Sequence, residues 1–302
     1  MGTLNDQEIL YLITMLGLPG AKFSPFDLQT QISEMGGISN VWESQHDDSL
    51  FADELRKEEL GQTVALLKLW REKGYEVTSY LDRHYPDQLR SIHEMPLVIW
   101  TQGKLTPDTH AVSVVGTRNP DQWALQYVDA LVEGLSTQDI TIVSGLAEGI
   151  DTRAHEAALR RELRTVAILG NGLDTTYPKN NLHLREQIAD SGLLLSQFKP
   201  DFSPTKYSFP MRNATMSGYS SVSVIIQARE HSGTRIQGRV AVGHGRSVIL
   251  SSQVAKCTEW GAALSEKPGV FVARDVDNAI ELAIRYSSRV PDELSALIPQ
   301  LV

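Results

Sequence analysis

The sequence predicts an α/β protein: an extended Rossmann-like, doubly wound parallel sheet with a small helical N-terminal domain. Two observations carry this expectation. Seven short runs of β-branched and aliphatic residues recur between 112 and 273, and none alternates apolar with polar positions. Such runs read as strands buried on both faces. Helix-sized segments separate them, and strands alternating with helices are most economically arranged as a parallel sheet covered on both sides.

In chain order, residues 1–73 are expected to form a helical domain. Ile9, Leu12, Ile13 and Leu16 follow helical spacing, Gly17-Leu18-Pro19-Gly20 then punctuates, and further helices are expected around Phe26–Met35 and Asp53–Lys73. The Gly-Leu-Pro-Gly turn resembles that of a SAM/helix-hairpin-helix-like unit. Between residues 1 and 60, however, 11 acids face 3 bases, so packing or protein contact is the favoured role for this segment. Residues 74–105 carry turn residues and extended pieces (YEVTSYLD, YPDQL, PLVIW) and form an extension leading into the sheet. The Rossmann domain proper is expected to run through residue 290. Its strands are expected at 112–116, 140–145, 165–170, 193–198, 222–228, 247–250 and 269–273, with 291–302 as a tail. Internal repeats and low-complexity tracts are absent from the sequence.

Hydrophobic residues make up 41% of the 302 positions and charged residues 22%, the balance of a folded globular chain. Cys257 is the single cysteine, so an internal disulfide is excluded and a thiolate metal cluster is disfavoured. The N-terminal residues lack a basic start and a small-residue cleavage site, and no apolar run reaches membrane-spanning length. A cytoplasmic protein is the expectation, with no metal and no cofactor. The net charge of −9 is concentrated at the N-terminus, where the first 60 residues sum to −8. Between Lys199 and Arg246 there are 7 bases and 2 acids. Phosphate responds to the field within about a Debye length, roughly 8–10 Å, so distant acids do not forbid an anionic partner. A solvated basic face is the plainer reading of charge alone.

In a parallel sheet, ligands sit beyond the carboxyl ends of the strands, where turns expose amides and helix N-termini attract anions. Four of the expected strands lead into glycine-bearing turns: Gly116-Thr117-Arg118-Asn119-Pro120, Ser144-Gly145-Leu146-Ala147-Glu148-Gly149, Gly170-Asn171-Gly172 and Ser232-Gly233-Thr234. One such turn is weak evidence; four at one edge, with Arg118 among them, favour an anionic ligand. No GxGxxG follows a strand. Gly233 to Val240 has the spacing of a P-loop, but Arg239 stands for the lysine and Val240 for the Mg²⁺-binding hydroxyl, which argues against an ATPase. Asp151 and His155 lie four apart and could pair as acid and base; a helix cap with a histidine stacked beneath it is the favoured reading. PTKYSFPMRNATMSG places Lys206, Phe209, Arg212 and Asn213 within eight residues. Cations interleaved with rings suit single-stranded nucleic acid. The same residues could equally bury Phe209 in the core and use Arg212 to fix a loop.

Taken in order, VVGTRNP, SGLAEGIDTRAHEAAL, TVAILGNGLDTTYPKNN, GLLLSQF, KYSFPMRN and HSGT resemble the successive motifs of the DprA/Smf DNA-processing family over roughly residues 74–250. The resemblance implies single-stranded DNA in a basic pocket at the strand ends, dimerisation, and delivery of strands to a RecA-type recombinase. It also implies that the protein is not an enzyme. Carried over by position, Arg118 is a phosphate contact, Lys206 and Phe209 are a cation and a base-contacting ring, and Arg212 and Asn213 sit in the FPxRN motif. With the strand-end turns, the expected DNA contacts further include Gly116, Ser144, Gly145, Lys179 and Asn181. Ser232, Gly233, Thr234 and Arg239 complete them.

The chain also departs from the family pattern. Gln197 and Gln227 stand where an acid is usual, and RNATMSG replaces RNRIIAG. Arg235 and Gln237 occupy positions that tend to be Leu and Thr, and no winged-helix segment is recognisable. These changes leave the pathway open: natural transformation, general recombination or a defence system. Two alternatives stand beside the non-catalytic DNA-binding reading. One is a nucleotide sensor or nucleotide N-glycosidase on a lysine-decarboxylase-like scaffold, whose PGGxGTxxE-like loop has no counterpart here. The other is a scaffold that has lost its ligand.

Overall fold

The computed structural model describes residues 3–17, 25–45 and 52–287. Its centre is a nine-stranded sheet of order β1-β2-β6-β5-β4-β3-β7-β8-β9. The strands are β1 (Glu76–Ser79), β2 (Val98–Gly103), β3 (Ala111–Val115), β4 (Thr141–Ser144), β5 (Thr165–Leu169), β6 (Leu193–Ser196), β7 (Val222–Ile225), β8 (Ser247–Ser251) and β9 (Val270–Ala273). From β6 to β9 every neighbouring pair is parallel, as continuous apolar runs require. β1 and β2 pair antiparallel with each other, and β2 joins β6 antiparallel, so the extension seen in the sequence adds two reversed strands to one edge.

The burial pattern explains why the central strands lack polar alternation. β3, β4 and β5 are buried at every residue, and successive side chains enter opposite cores. On one face, Val112 and Val114 pack with Ile142, Val222 and Val224 beneath α6 (Gln122–Leu135), α7 (Ile150–Arg160) and α13 (Val276–Ser287). On the other face, Val115, Val143, Ile168 and Ile225 meet Met216 and Tyr219 of α9 (Ser208–Tyr219) and Ala241 of α10 (Thr234–Gly243).

The helical N-terminal region contains α1 (Thr3–Gly17), α2 (Pro25–Met35), α3 (Ile38–Ser44) and α4 (Ala52–Glu72). Helix α3 went unread in the sequence; two turns are too short to establish a period. Leu12, Leu28, Val41 and Trp70 share one buried cluster with Val98 and Trp100 of β2 and with Leu184 and Ile188 of α8 (Leu182–Ser191). Trp70 meets Trp100 edge-on at 5.9 Å between ring centroids. Lys73 Nζ donates to Asp174 at 2.7 Å. The helical region is therefore bound to the antiparallel edge of the sheet by a common core. Leu18-Pro19-Gly20 of the hairpin-like turn and the tail 291–302 lie outside the described residues. No described helix is long and apolar enough to cross a membrane.

β3 holds a special place in this order. Strands β4, β5 and β6 are added on one side of it and β7, β8 and β9 on the other. The connections leaving β3 and β7 therefore diverge to opposite faces and open a crevice between their carboxyl ends.

Candidate nucleic-acid interface

The crevice is built from the inside outwards. After β4 the chain passes through Gly145, Leu146 and Ala147 before entering α7. Asp151, in the first turn of α7, is buried, and its Oδ2 accepts from the amides of Gly145 and Ala147 at 3.1 and 3.4 Å. Asp151 was expected to cap its own helix; it instead gathers the loop that precedes the helix, and Gly149 (φ +84°) occupies the N-cap. Asn181 secures the same loop, donating from Nδ2 to Leu146 O at 3.0 Å and to Thr152 Oγ1 at 2.8 Å. This anchors Leu146 in a left-handed conformation (φ +55°) that L side chains seldom adopt. Ser144 is also turned inward, donating to Val114 O at 2.7 Å.

Arg212 comes from α9 on the other side. Only 7% exposed, it donates from Nη1 to Gly145 O at 2.6 Å and Ile168 O at 3.2 Å, and from Nε to Asn213 Oδ1 at 3.1 Å. A Cβ on Gly145 would lie 1.4 Å from Arg212 Nη1, so the absence of a side chain there is a condition for the guanidinium. Burial pushes the Asp151 carboxyl up while Arg212 and the two loop amides work against it, and Arg212 is pulled down by burial and up by Asp151. A guanidinium keeps its proton even so. His155 lies deeper still, fully buried, with Nδ1 2.7 Å from Thr165 Oγ1. Burial, with Arg212 second, pushes its imidazole down to about 3, so it stays neutral.

Around this frame lies an exposed rim. Arg118, in the turn after β3, holds its guanidinium carbon 5.8 Å from the centroid of the Phe209 ring. Phe209 then meets Tyr177, tilted, at 5.8 Å. Phe209 and Arg212 are three apart on α9 and so face the same way. Pro210 falls in the first turn, where its missing N–H costs nothing. Ser208 fastens the start of the helix by donating to Gly170 O at 2.6 Å.

The row Arg118–Phe209–Tyr177 separates two open cavities that share Arg118, Phe209, Arg212 and Ala147. The first, about 320 Å³, lies between the turn after β3 and the start of α10 and takes in Gly116, Arg118, Asn213, Arg229, His231, Ser232, Gly233, Thr234 and Gln237. The second, about 340 Å³, lies between the turns after β4 and β5 and takes in Gly145, Glu148, Tyr177, Lys179 and Asn180. Thr234 closes the first by donating to Gly116 O at 3.3 Å.

Of the residues expected from sequence, Gly116, Arg118, Gly145, Lys179, Phe209, Arg212, Asn213, Ser232, Gly233 and Thr234 therefore converge on one pair of cavities. Ser144 and Asn181 serve the frame beneath. Arg239 is exposed more than a turn beyond Thr234 along α10, and Lys206 is exposed beside the rim with Nζ 4.9 Å from the Tyr207 ring centroid. Neither lines a cavity. Tyr177, Arg229 and His231 were not expected as contacts, although Tyr177 lies within the TYPKNN string and Arg229 within the basic window, and Gln237 stood out only as a departure from the family pattern.

Two of the departures have structural reasons. Gln227, two residues past β7, accepts from the Asp121 amide at 3.1 Å and donates to Asp121 Oδ2 at 2.7 Å, while Asp121 Oδ1 caps α6 through the Ala124 amide. A carboxylate at 227 would face the cap's own charge. Gln197 accepts from the Thr215 hydroxyl.

Comparison with known proteins places this architecture. The DNA processing protein DprA of Bacillus subtilis (strain 168) is 35% identical over 186 residues, 61% of this chain and 63% of its own length. That of Streptococcus pneumoniae is 37% identical over 172 residues, 57% of this chain and 61% of its own length. The alignments thus span somewhat under two thirds of these relatives. The crystal structure of the S. pneumoniae protein superposes with a TM-score of 0.69 at 27% identity, covering 90% of this chain and 97% of that one. A structure of DNA processing protein A from Helicobacter pylori, described for its single-stranded DNA binding mode, gives 0.62 at 28% identity over 70% of this chain and 96% of that one. The family described as DNA recombination-mediator protein A matches residues 76–281, from β1 into α13, and the chain belongs to that family of DprA/Smf DNA-processing proteins.

Proposed function

We propose that the crevice at the β3/β7 switch point grips single-stranded DNA by its backbone and rings, without catalysing a reaction. The observation that carries this reading is the row Arg118–Phe209–Tyr177, a cation and two rings standing between two cavities with cationic rims. Single strands are held by positive grooves that follow the phosphates and by rings on which unstacked bases lie. Arg118 and Arg229 at the first cavity and Lys179 at the second supply the charge; the acids along the two cavities are Glu148, exposed, and Asp151, buried among its loop amides. A duplex offers no free base faces to the rings, so preference for single strands follows.

The non-catalytic reading is supported by how the acid and the base of the Asp151/His155 pair are employed. One is engaged by two amides and the other sealed behind it. Membership of the DNA-processing family supports the remaining parts of the proposal. The protein works in the cytoplasm as a homodimer, its helical region (1–73) and Rossmann domain (74–290) being two domains that share a core at the antiparallel edge of the sheet. Its task is to protect single strands and deliver them to a RecA-type recombinase.

Fluorescence anisotropy with labelled dT20 and a duplex of equal length tests the central claim. Single strands bind more tightly, the affinity falls steeply with salt as phosphates release counterions, and Arg118→Ala weakens binding through the rim. Equal affinity for duplex removes the proposal. Release of free base or ribose phosphate from a nucleotide panel would instead establish the N-glycosidase alternative.

A further inference from the structure

Almost every buried polar side chain around the crevice has a partner: Ser144, Asp151, Asn181, Arg212 and Thr234 are all hydrogen-bonded. Whereas His155 lacks a partner only at Nε2, Gln237 has none at either polar atom. It lies on α10, one turn after Thr234 and on the same face, in the wall of the cavity of about 320 Å³. It is 1% exposed, and neither its Oε1 nor its Nε2 has a hydrogen-bond partner. Burying a carboxamide with both groups unmet is unfavourable, so a partner that met both would be favoured at this place.

The surroundings indicate the use. The mouth of this cavity carries the exposed cations Arg118 and Arg229, together with the start of a ten-residue helix at Gly233 and Thr234. Those groups favour phosphate. Further in, the walls include the buried apolar Val115 and Met216 beside Arg212 and Asp151, whose charges are already engaged by carbonyls and amides of the frame. Anionic groups are thus favoured outside and a flat, weakly polar group inside, the order in which a nucleotide presents its phosphate and its base.

We propose that Gln237 is the base-reading residue of this site: its carboxamide pairs with the donor–acceptor edge of a nucleobase inserted into the switch-point cavity. The inference rests on the single-strand reading above. A carboxamide offers a donor and an acceptor side by side, as the edges of unpaired bases do. The side chain meets the base by turning about its flexible bonds, exchanging two unmet groups for two hydrogen bonds.

The test uses the full chain with labelled 12-mers of dA, dC and dT and a 12-mer of abasic nucleotides. Gln237→Met keeps the length of the side chain and removes both polar atoms. It weakens binding of the base-bearing strands by about 5- to 150-fold, the range of a good bidentate contact, and leaves abasic binding unchanged. The free protein unfolds at the same or a higher temperature, because the unmet groups are gone. Gln237→Glu, which only accepts, shifts preference toward dA and dC, whose bases carry an exocyclic amine. Wild-type affinities for all strands in Gln237→Met, or an equal loss on the abasic strand, overturn the assignment and leave the proposed function standing. Failure of the wild-type chain to bind any of the strands overturns both.

Discussion

Phe209→Ala separates a ring-and-backbone grip from a purely electrostatic one. Phe209 is the middle member of the row, 5.8 Å from the Arg118 guanidinium and 5.8 Å from the Tyr177 ring. Its removal takes away one stacking platform, worth roughly 1–3 kcal/mol per base, so Kd rises about 5- to 150-fold. It also releases Arg118 from its ring, an interaction of about 0.5–1 kcal/mol at an exposed site. A double-mutant cycle between Arg118→Ala and Phe209→Ala is accordingly expected to show a coupling of about that size, with the double variant losing less than the sum of the singles. The salt dependence divides the two roles. For a single strand, the slope of log K against log salt falls by about 0.7 for each phosphate that the protein no longer neutralises. Arg118→Ala flattens it by that amount, and Phe209→Ala leaves it unchanged while lowering affinity. Anisotropy titrations with dT20 at four salt concentrations supply both quantities. An unchanged Kd for Phe209→Ala, or a slope that flattens with the ring rather than with the guanidinium, would refute the reasoning.

Two further outcomes follow from the frame. Gly145→Ala places a Cβ 1.4 Å from Arg212 Nη1, expels the guanidinium from its two carbonyls and strands a buried charge. A loss of about 3–5 kcal/mol in urea unfolding is expected, on the scale of breaking one side of a buried ionic arrangement. Gln227→Glu sets a carboxylate against Asp121, whose own pKa is held below the usual carboxylate range by the Ala124 amide first and by Gln227 second. In the wild type, that cap contributes stability above the unfolded carboxyl pKa and loses it as pH falls through the lowered folded value. In the variant, repulsion raises the folded pKa values instead, so the loss is full at neutral pH and relieved on acidification. Thermal unfolding between pH 3 and 7 therefore shows the gap between variant and wild type closing toward low pH; a constant gap counts against a charge effect.

The sheet was legible because its central strands are buried on both faces, and continuous runs such as AVSVV and TVAIL have few other uses. The reversed edge was not. β1 is four residues of mixed burial among turns, and its pairing is decided by partners rather than by its own pattern. The site was legible as a set of strand-end turns because glycine and arginine mark places where the backbone approaches something. What the sequence could not reveal was which arginine faces out. Arg118 and Arg212 both sit in marked motifs, yet one is exposed and the other holds two carbonyls together in the interior. Of the two readings of KYSFPMRN, the structural one holds for Arg212, which fixes a loop, and not for Phe209, which is half-buried at the rim rather than in the core. Gln237 could be marked only as a departure from the family pattern and Tyr177 only as part of a string, because burial without a partner, and the meeting of two rings, arise only once α9 and α10 have docked on the sheet.

The division between frame and rim explains how a chain of net charge −9 can present a cationic crevice. Loops that carry like charges repel one another, and an unsupported cluster of Arg118, Lys179 and Arg229 would relax apart. Here each loop is fixed from below by largely buried groups: Asp151 gathers the turn after β4, Asn181 ties that turn to the segment bearing Lys179, and Thr234 ties the start of α10 to Gly116, two residues before Arg118. The ordering is complete before a ligand arrives, so less affinity is lost to arranging the site at binding. Rim substitutions then change affinity and leave stability alone, whereas frame substitutions change both together. A rim variant that lowers the unfolding temperature as much as Gly145→Ala does would show that the two layers are not separable, and that the cations owe their positions to one another rather than to the loops beneath them.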